Sequence, residues 1–289
     1  MRIVIVTTLA LVAFAANSIL CRLALGANLI DPLLFTAVRL ASGAVALAIV
    51  SGVLPESKPS KNTGGNWLSG IALFVYAIAF SLAYVSLSAG TGALILFGTV
   101  QVTMICAALY SGERLRLAQW IGLAVAISGL IYLVLPGLSA PDPIGALLMC
   151  LAGMAWSVYS IRGKGVSAPI SMTAGNFLCA APFALVAIAI APDSVHLKLP
   201  GILLALISGV VTSGLGYVIW YKALRNLTTT QASAAQLVVP VFAALGGVAF
   251  LSEPMSLRLN IASILILGGV ALKTSPGKSR MSDSVLGSD

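Results

Sequence analysis

The chain has 289 residues, 59% of them apolar and 8% charged, with a net charge of +8 and a mean hydropathy of +1.06. A water-facing globule of this length cannot be built from that composition, so the expected solvent is lipid. The basic excess then reflects the preference of Lys and Arg for cytoplasmic loops, and a nucleic-acid partner is excluded.

A hydrocarbon core about 30 Å thick is crossed by about 20 apolar residues in a helix. Ten segments approach that length, at residues 3–22, 31–52, 67–87, 90–110, 117–135, 142–162, 171–191, 200–221, 227–250 and 257–273. No water inside the bilayer can satisfy their backbones, so each must be helical. The expected fold is an all-α membrane protein with ten transmembrane helices.

The first segment follows Arg2 and contains Ala13-Phe14-Ala15, the small-x-small form of a signal cleavage site. The repeat described below pairs this segment with 142–162, which argues that it is a retained span. Deep within it lies Asn17, a polar side chain that hydrocarbon cannot satisfy. The second segment carries Arg39, the chain's one charge well inside a span, about seven residues from its outer end. Such a residue should face protein or water. Its fork suits a substrate carboxylate, and equally a helix-bracing or snorkelling role near the outer face.

In the third segment Tyr76 and Phe80 share a helical face, which Tyr84 extends outward. These rings read as a cavity wall or as core. The fourth segment holds Gln101 near its middle; the sixth holds Trp156 and Tyr159 on one face, too deep for a headgroup belt; the seventh holds Asn176. The eighth contains Ser208-Gly209, Ser213-Gly214 and Gly216, a run suited to close packing or sliding. It ends in Tyr217, Trp220 and Tyr221 just before Lys222, where the rings are expected at the headgroup level. The ninth carries Gln236 and, one turn later, Pro240, which has no amide hydrogen to offer the Gln236 carbonyl. The two glutamines read as solute contacts or as interhelical hydrogen-bonding residues.

Residues 1–135 slide onto 141–275 without a gap at an offset of 140, so that Arg22 meets Arg162, Ala83 meets Ala223, Glu113 meets Glu253 and Gly129 meets Gly269. The fold therefore divides into a first five-helix repeat at 1–136, a second at 141–273 and a polar cytoplasmic tail at 274–289. Five spans per copy invert the second repeat relative to the first, the plan of many secondary transporters. With the N-terminus inside, Arg2, Lys58, Lys61, Arg114, Arg116, Arg162, Lys164, Lys222, Arg225, Lys273, Lys278 and Arg280 are cytoplasmic, which is 12 of the 16 basic residues. Both termini are thus expected in the cytoplasm.

Catalytic and metal-ligating patterns are missing. Every Asp and Glu falls at a span end, in a loop or in the tail, so no intramembrane acid–base pair is formed. Cys21, Cys106, Cys150 and Cys179 lack ligand spacing and read as small core residues, while His196 reads as a solvated loop residue. Neither an enzyme nor a cofactor or metal protein is indicated. Glu113 and Glu253 read as turn and cap residues at helix ends.

Taken in order, Gly112-Glu113 followed by Gln119-Trp120-Ile121-Gly122, Ser233 to Pro240 leading to Ser252-Glu253-Pro254, and Leu267-Gly268-Gly269-Val270 form a pattern. It resembles the EamA-type members of the drug/metabolite transporter superfamily over about residues 3–273. The resemblance implies solute export across the plasma membrane by alternating access, with amino acids among the family's bacterial substrates. One departure is Phe14, where the family often carries tryptophan. The expected partners are the lipid bilayer and a small-molecule solute bound near the midplane among Tyr76, Phe80, Gln101, Trp156, Tyr159, Asn176, Gln236, Pro240, Arg39 and Asn17. Aromatic or bulky neutral amino acids fit these residues best. A drug or nucleoside-like solute is the alternative in transport, and a lipid-handling or ligand-sensing membrane protein the alternative outside it.

Overall fold

The computed structural model describes residues 2–53, 65–112, 117–137, 140–189, 196–227 and 229–274. Over residues 2–134 the helices are α1 (Arg2–Gly26), α2 (Pro32–Val53), α3 (Trp67–Ala83), α4 (Ala89–Tyr110) and α5 (Leu117–Val134). Over residues 143–274 they are α6 (Pro143–Arg162), α7 (Pro169–Ala189), α8 (Leu199–Ile207), α9 (Gly216–Leu224), α10 (Thr229–Ala235), α11 (Val238–Leu251) and α12 (Leu257–Thr274). A π-helical segment, Ser208–Leu215, joins α8 to α9. Among the described residues the one non-helical pairing is an antiparallel bridge between Ile30 and Leu197.

Seven helical stretches are long and apolar enough to cross a membrane, with α8, the π segment and α9 forming one of them. The remaining apolar helices, in α3, α5 and α12, are shorter. At 1.5 Å per residue the 17 residues of α3 rise about 26 Å, slightly less than the hydrocarbon thickness. The third segment ends sooner than its apolar run suggested because the chain turns after Ala83. Tyr84 caps α3 through its N–H, and the Leu87 N–H returns to the Ala83 carbonyl at 3.0 Å.

Helix starts follow local chemistry. Asn66 accepts from the Ser69 N–H, Ser88 from Thr91 and Asp142 from Gly145, the last with Pro143 at the first helical position. Ser252 ends α11 in the left-handed region at φ 53°, its N–H reaching back to Gly247.

Large apolar side chains cover the outside. Ile144, Leu147, Leu151, Met154 and Val158 recur at helical spacing along one exposed face of α6, and α1 shows Val4, Ile5, Leu9 and Val12. Contiguous apolar surface on this scale is unstable in water and matched to lipid. Four faces of the bundle interior meet at the centre. There α1 packs on α9 and α11, α6 on α3 and α4, α2 on α7 and the π segment, and α4 on α11. The pair α5 and α12 lies outside this group, packed chiefly on itself through the Gly129–Leu265 and Gly269–Gly122 contacts.

Successive connections gather at opposite ends. At one end Arg22 pairs with Glu253, the Asp31 N–H donates to the His196 carbonyl, Ser86 donates to Asp142, and Arg258 to the Tyr132 and Leu135 carbonyls. At the other end Arg162 donates to Ser69 and Asn66, and Lys164 to Thr229. Glu113, Lys58, Lys61, Asp193 and the tail beyond residue 274 lie outside the described residues.

Three expectations change. Cys21 is buried, but Cys106 is exposed on α4, so it is not a core residue. His196 is half-buried, with Nε2 enclosed and unpartnered, rather than solvated. Glu253 is more than a cap, since its carboxylate joins α1 to α4 by accepting from Arg22 and from the Ala89 N–H at 2.8 Å.

Candidate functional site

The π segment shapes the centre of the bundle. Its widened turn brings Ser208, Thr212 and Ser213 toward α1 and α2. Ser208 and Thr212 donate to Asn17 Oδ1 at 2.7 and 3.0 Å, while Ser213 Oγ accepts from Arg39 Nε at 2.8 Å. This approach needs Gly209, where a Cβ would fall on Ser42 Oγ and the Arg39 carbonyl, far inside contact distance. Asn17 thus holds α1 to the π segment, a turn away from Arg39's partner.

Arg39 is only 1% exposed, so it does not snorkel. Its Nη2 donates to Tyr217 Oη at 2.7 Å and to Tyr76 Oη at 3.4 Å. Its guanidinium lies 5.3 Å from the Tyr76 ring centre and 5.2 Å from that of Phe80. Nη1 is buried and has no hydrogen-bond partner. Among the described residues the one ion pair is Arg22–Glu253, at an end of the bundle, so Arg39 has no carboxylate beside it.

A continuous ring cluster surrounds this charge. Trp156 on α6 is its hub, 4.8 Å from Tyr217, 5.0 Å from Tyr76, 5.2 Å from Phe14 and 5.6 Å from Tyr159 between ring centres. Phe14 also meets Trp220 at 5.6 Å, Phe177 meets Tyr217 at 5.9 Å, and Tyr159 stacks on Tyr221 at 5.5 Å. These tilted and edge-on arrangements are the preferred ones for aromatic pairs. All these rings are buried, so the centre is closed in this structure.

Amides adjoin the cluster on the α4 and α10–α11 side. Trp156 Nε1 donates to Gln236 Oε1 at 2.8 Å, Gln236 Nε2 to the Ala232 carbonyl at 3.2 Å, and Gln101 Nε2 to the Ser233 carbonyl. Gln101 Oε1 is buried without a partner. Span nine is broken here, with a turn at Gln236–Leu237 between α10 and α11. Pro240 enforces the break, but the Gln236 carbonyl is not left free as the sequence suggested; it accepts from the Val239 N–H at 3.1 Å.

The fold therefore brings Arg39, Tyr76, Phe80, Trp156 and Tyr159 into one cluster with Gln236, and sets Gln101 beside it. Pro240 acts through the backbone. Asn176 borders the cluster beside Tyr159, its Oδ1 accepting from the Asn66 N–H at 3.2 Å toward the Arg162 end. Sequence reasoning missed Tyr217, Trp220 and Tyr221, which are 0–1% exposed and not at the headgroup level. Their spacing, with Ser213 one turn before Tyr217, was the available signal, since it places all of them on one helical face. The tryptophans on the outer surface are Trp67 and Trp120 instead. Phe14 was seen only as a departure from a family pattern; it is the cluster's contribution from α1.

Comparison with known proteins gives these features a context. The chain is 48% identical over 279 residues to an uncharacterised protein of Pseudomonas aeruginosa, covering 96% of each. It is 27% identical over 261 residues to the uncharacterised inner membrane transporter YedA of Escherichia coli K12, covering 84% of this chain and 81% of the relative. Over 243 residues it is 28% identical to a Streptantibioticus cattleyicolor protein named "Probable terminal-alkyne amino-acid exporter", covering 79% and 81%. A crystal structure with a TM-score of 0.66 and 21% identity covers 93% of this chain and 99% of its own, and shares the fold. Residues 1–135 and 143–275 both match the EamA-like transporter family, and with the apolar helices and the buried polar centre they establish that this chain is a multi-pass membrane protein belonging to that family.

Proposed function

We propose that the chain is a ten-span secondary transporter of the bacterial inner membrane that exports small metabolites by alternating access, with aromatic or bulky neutral amino acids as the substrate class. The observation that carries this is the central cluster: eight helical stretches contribute its buried rings, two amides and one charge, a buried polar and aromatic centre of the kind in which transporters bind solutes. Flat rings around Trp156 offer stacking surfaces for an apolar or aromatic body. The relative named as an amino-acid exporter points the same way.

Two inverted five-helix repeats, at 1–136 and 141–273, account for the packing. Exchanging each helix for its counterpart 140 residues on turns the α1 contacts with α9 and α11 into the α6 contacts with α3 and α4. The broken span nine and the π segment in span eight supply the irregular backbone that such carriers place at solute sites. With both termini cytoplasmic, the Arg22–Glu253 end faces outward, and its ion pair holds that side shut.

Counterflow uptake of labelled phenylalanine, tryptophan and leucine into proteoliposomes, with and without a pH gradient, tests this reading. Exchange is expected, reduced at least tenfold by Trp156→Ala. Exchange of nucleosides or cationic drugs with no amino acid taken up would overturn the substrate class. No exchange of any solute would overturn transport itself.

A further inference from the structure

Arg39 is a cation without an anion. It sits seven residues into α2, about 10 Å along the helix axis, and is enclosed on every side. The groups that face it are Ser213, Tyr76, Tyr217 and the ring of Phe80, with the Cys21 thiol nearby. These supply dipoles and ring quadrupoles but no formal negative charge. Buried charges are normally paired, because a lone ion in low dielectric is costly and the pairing recovers part of that cost. Here the protein satisfies Nε and Nη2 and leaves Nη1 bare.

We propose that the missing anion is the carboxylate of the transported solute, received by Arg39 Nη1 together with the free hydroxyl of the Tyr76–Tyr217 pair. The proposal rests on the central cluster being the solute site. A guanidinium presents donors in a planar fork that fits a carboxylate better than a point charge does. Tyr76 and Tyr217 also hydrogen-bond to each other, so one phenol uses its O–H on that contact and the other keeps its O–H to donate to the same anion. One positive charge matches a monoanion and leaves a phosphate, at roughly −1.5 to −2 at neutral pH, under-neutralised. Phe80, Trp156 and Phe14 then enclose the apolar remainder, and Arg39 gives the site selection by charge where the rings select by shape. A brace role also accounts for the bonds to Ser213 and Tyr217, but not for an enclosed donor left unpaired.

The test compares each carboxylate with its amide, which lacks the negative charge, in the full-length protein. Proteoliposomes are assayed by counterflow with phenylalanine, leucine, 3-phenylpropionate and 4-methylpentanoate, each beside its amide, and with phenethylamine. Wild-type protein is expected to exchange the acids at least tenfold faster than the amides, a difference of about 1.4 kcal/mol. Arg39→Gln is expected to bring that ratio to within twofold of unity while amide exchange persists, and Arg39→Lys to retain part of it. The ratio is a readout that loss of a brace alone does not move, and the wild-type comparison stands even if a variant fails to fold. Amides or the amine exchanging as fast as the acids overturns the carboxylate subsite while leaving transport intact. Acid selectivity that survives Arg39→Gln unchanged overturns the assignment to Arg39. No exchange by any member of the panel overturns the transport reading and this proposal with it.

Discussion

Replacing Glu253 by Gln breaks the ion pair with Arg22 at one end of the bundle. Glu253 Oε1 lies 3.2 Å from Arg22 Nε, and Oε2 accepts from the Ala89 N–H at 2.8 Å. Arg22 Nη1 also donates to the Tyr84 and Val85 carbonyls at 3.0 and 2.9 Å. Glutamine keeps an acceptor for Ala89 and Arg22 keeps its carbonyls, but the new NH2 faces the Arg22 Nε–H, so the change removes the Coulombic attraction together with the hydrogen bond from Arg22 Nε. The two side chains are 24% and 14% exposed, between a surface pair worth about 0.2–1 kcal/mol and a buried one whose breakage costs about 3–5 kcal/mol. About 1–2 kcal/mol is expected, which raises the open fraction of this end about 5- to 30-fold. Cys21, adjacent to Arg22 and fully buried, is a native reporter. In a background with Cys106, Cys150 and Cys179 changed to Ala, Cys21 labelling by a membrane-impermeant maleimide measures opening, because the rate follows the open population when closure is fast. Labelling of the Glu253→Gln protein within twofold of its parent would refute the idea that this pair holds the end shut. High salt should raise the parent's rate toward that of the variant, since part of the pair is open to screening.

Three other outcomes follow from the centre. Trp156→Phe keeps an aromatic ring but removes part of the buried indole and the donor to Gln236 Oε1, and should destabilise the fold by about 1–3 kcal/mol; a double-mutant cycle with Gln236→Leu, read by denaturant unfolding in detergent, should show coupling of about 0.6–1.7 kcal/mol rather than additivity. Gly209→Ala forces a methyl into Ser42 and the Arg39 backbone, so about 1–3 kcal/mol of stability should be lost, visible as a lower unfolding midpoint. Pro240→Ala supplies an N–H at 240 that can replace the Val239 N–H on the Gln236 carbonyl and should straighten span nine; an unfolding midpoint that is equal or higher, with counterflow slowed severalfold, is expected, and unchanged counterflow would show that the break is not used in transport.

Much of the architecture was legible because lipid imposes a simple rule. The apolar runs at 3–22, 90–110 and 142–162 became α1, α4 and α6 within a few residues, since a backbone without water must close its own hydrogen bonds. Asn17, Gln101 and Gln236 stood out for the same reason, as polar groups that need partners in hydrocarbon, and each is buried in the bundle. Tyr217, Trp220 and Tyr221 were misplaced because depth was judged along the helix axis alone. A ring near a span end can turn outward to the headgroups or inward to the centre, and sequence position does not distinguish the two.

The solvent and most helices could be read from the chain alone, because they follow from local chemistry and from hydropathy summed over about 20 residues. Which polar groups meet was left to the tertiary structure. It placed Arg39 against Ser213 and Tyr217, 174 and 178 residues away, and Arg22 against Glu253, 231 residues away. It also widened span eight into a π-helix over Ser208–Leu215, where Gly209 and Gly214 weaken the α-helix but do not by themselves select a π turn. The physical reason is that helix rotation and close approach are set by packing against neighbouring helices, where small residues such as Gly209 admit contact, and no local run of sequence contains that information.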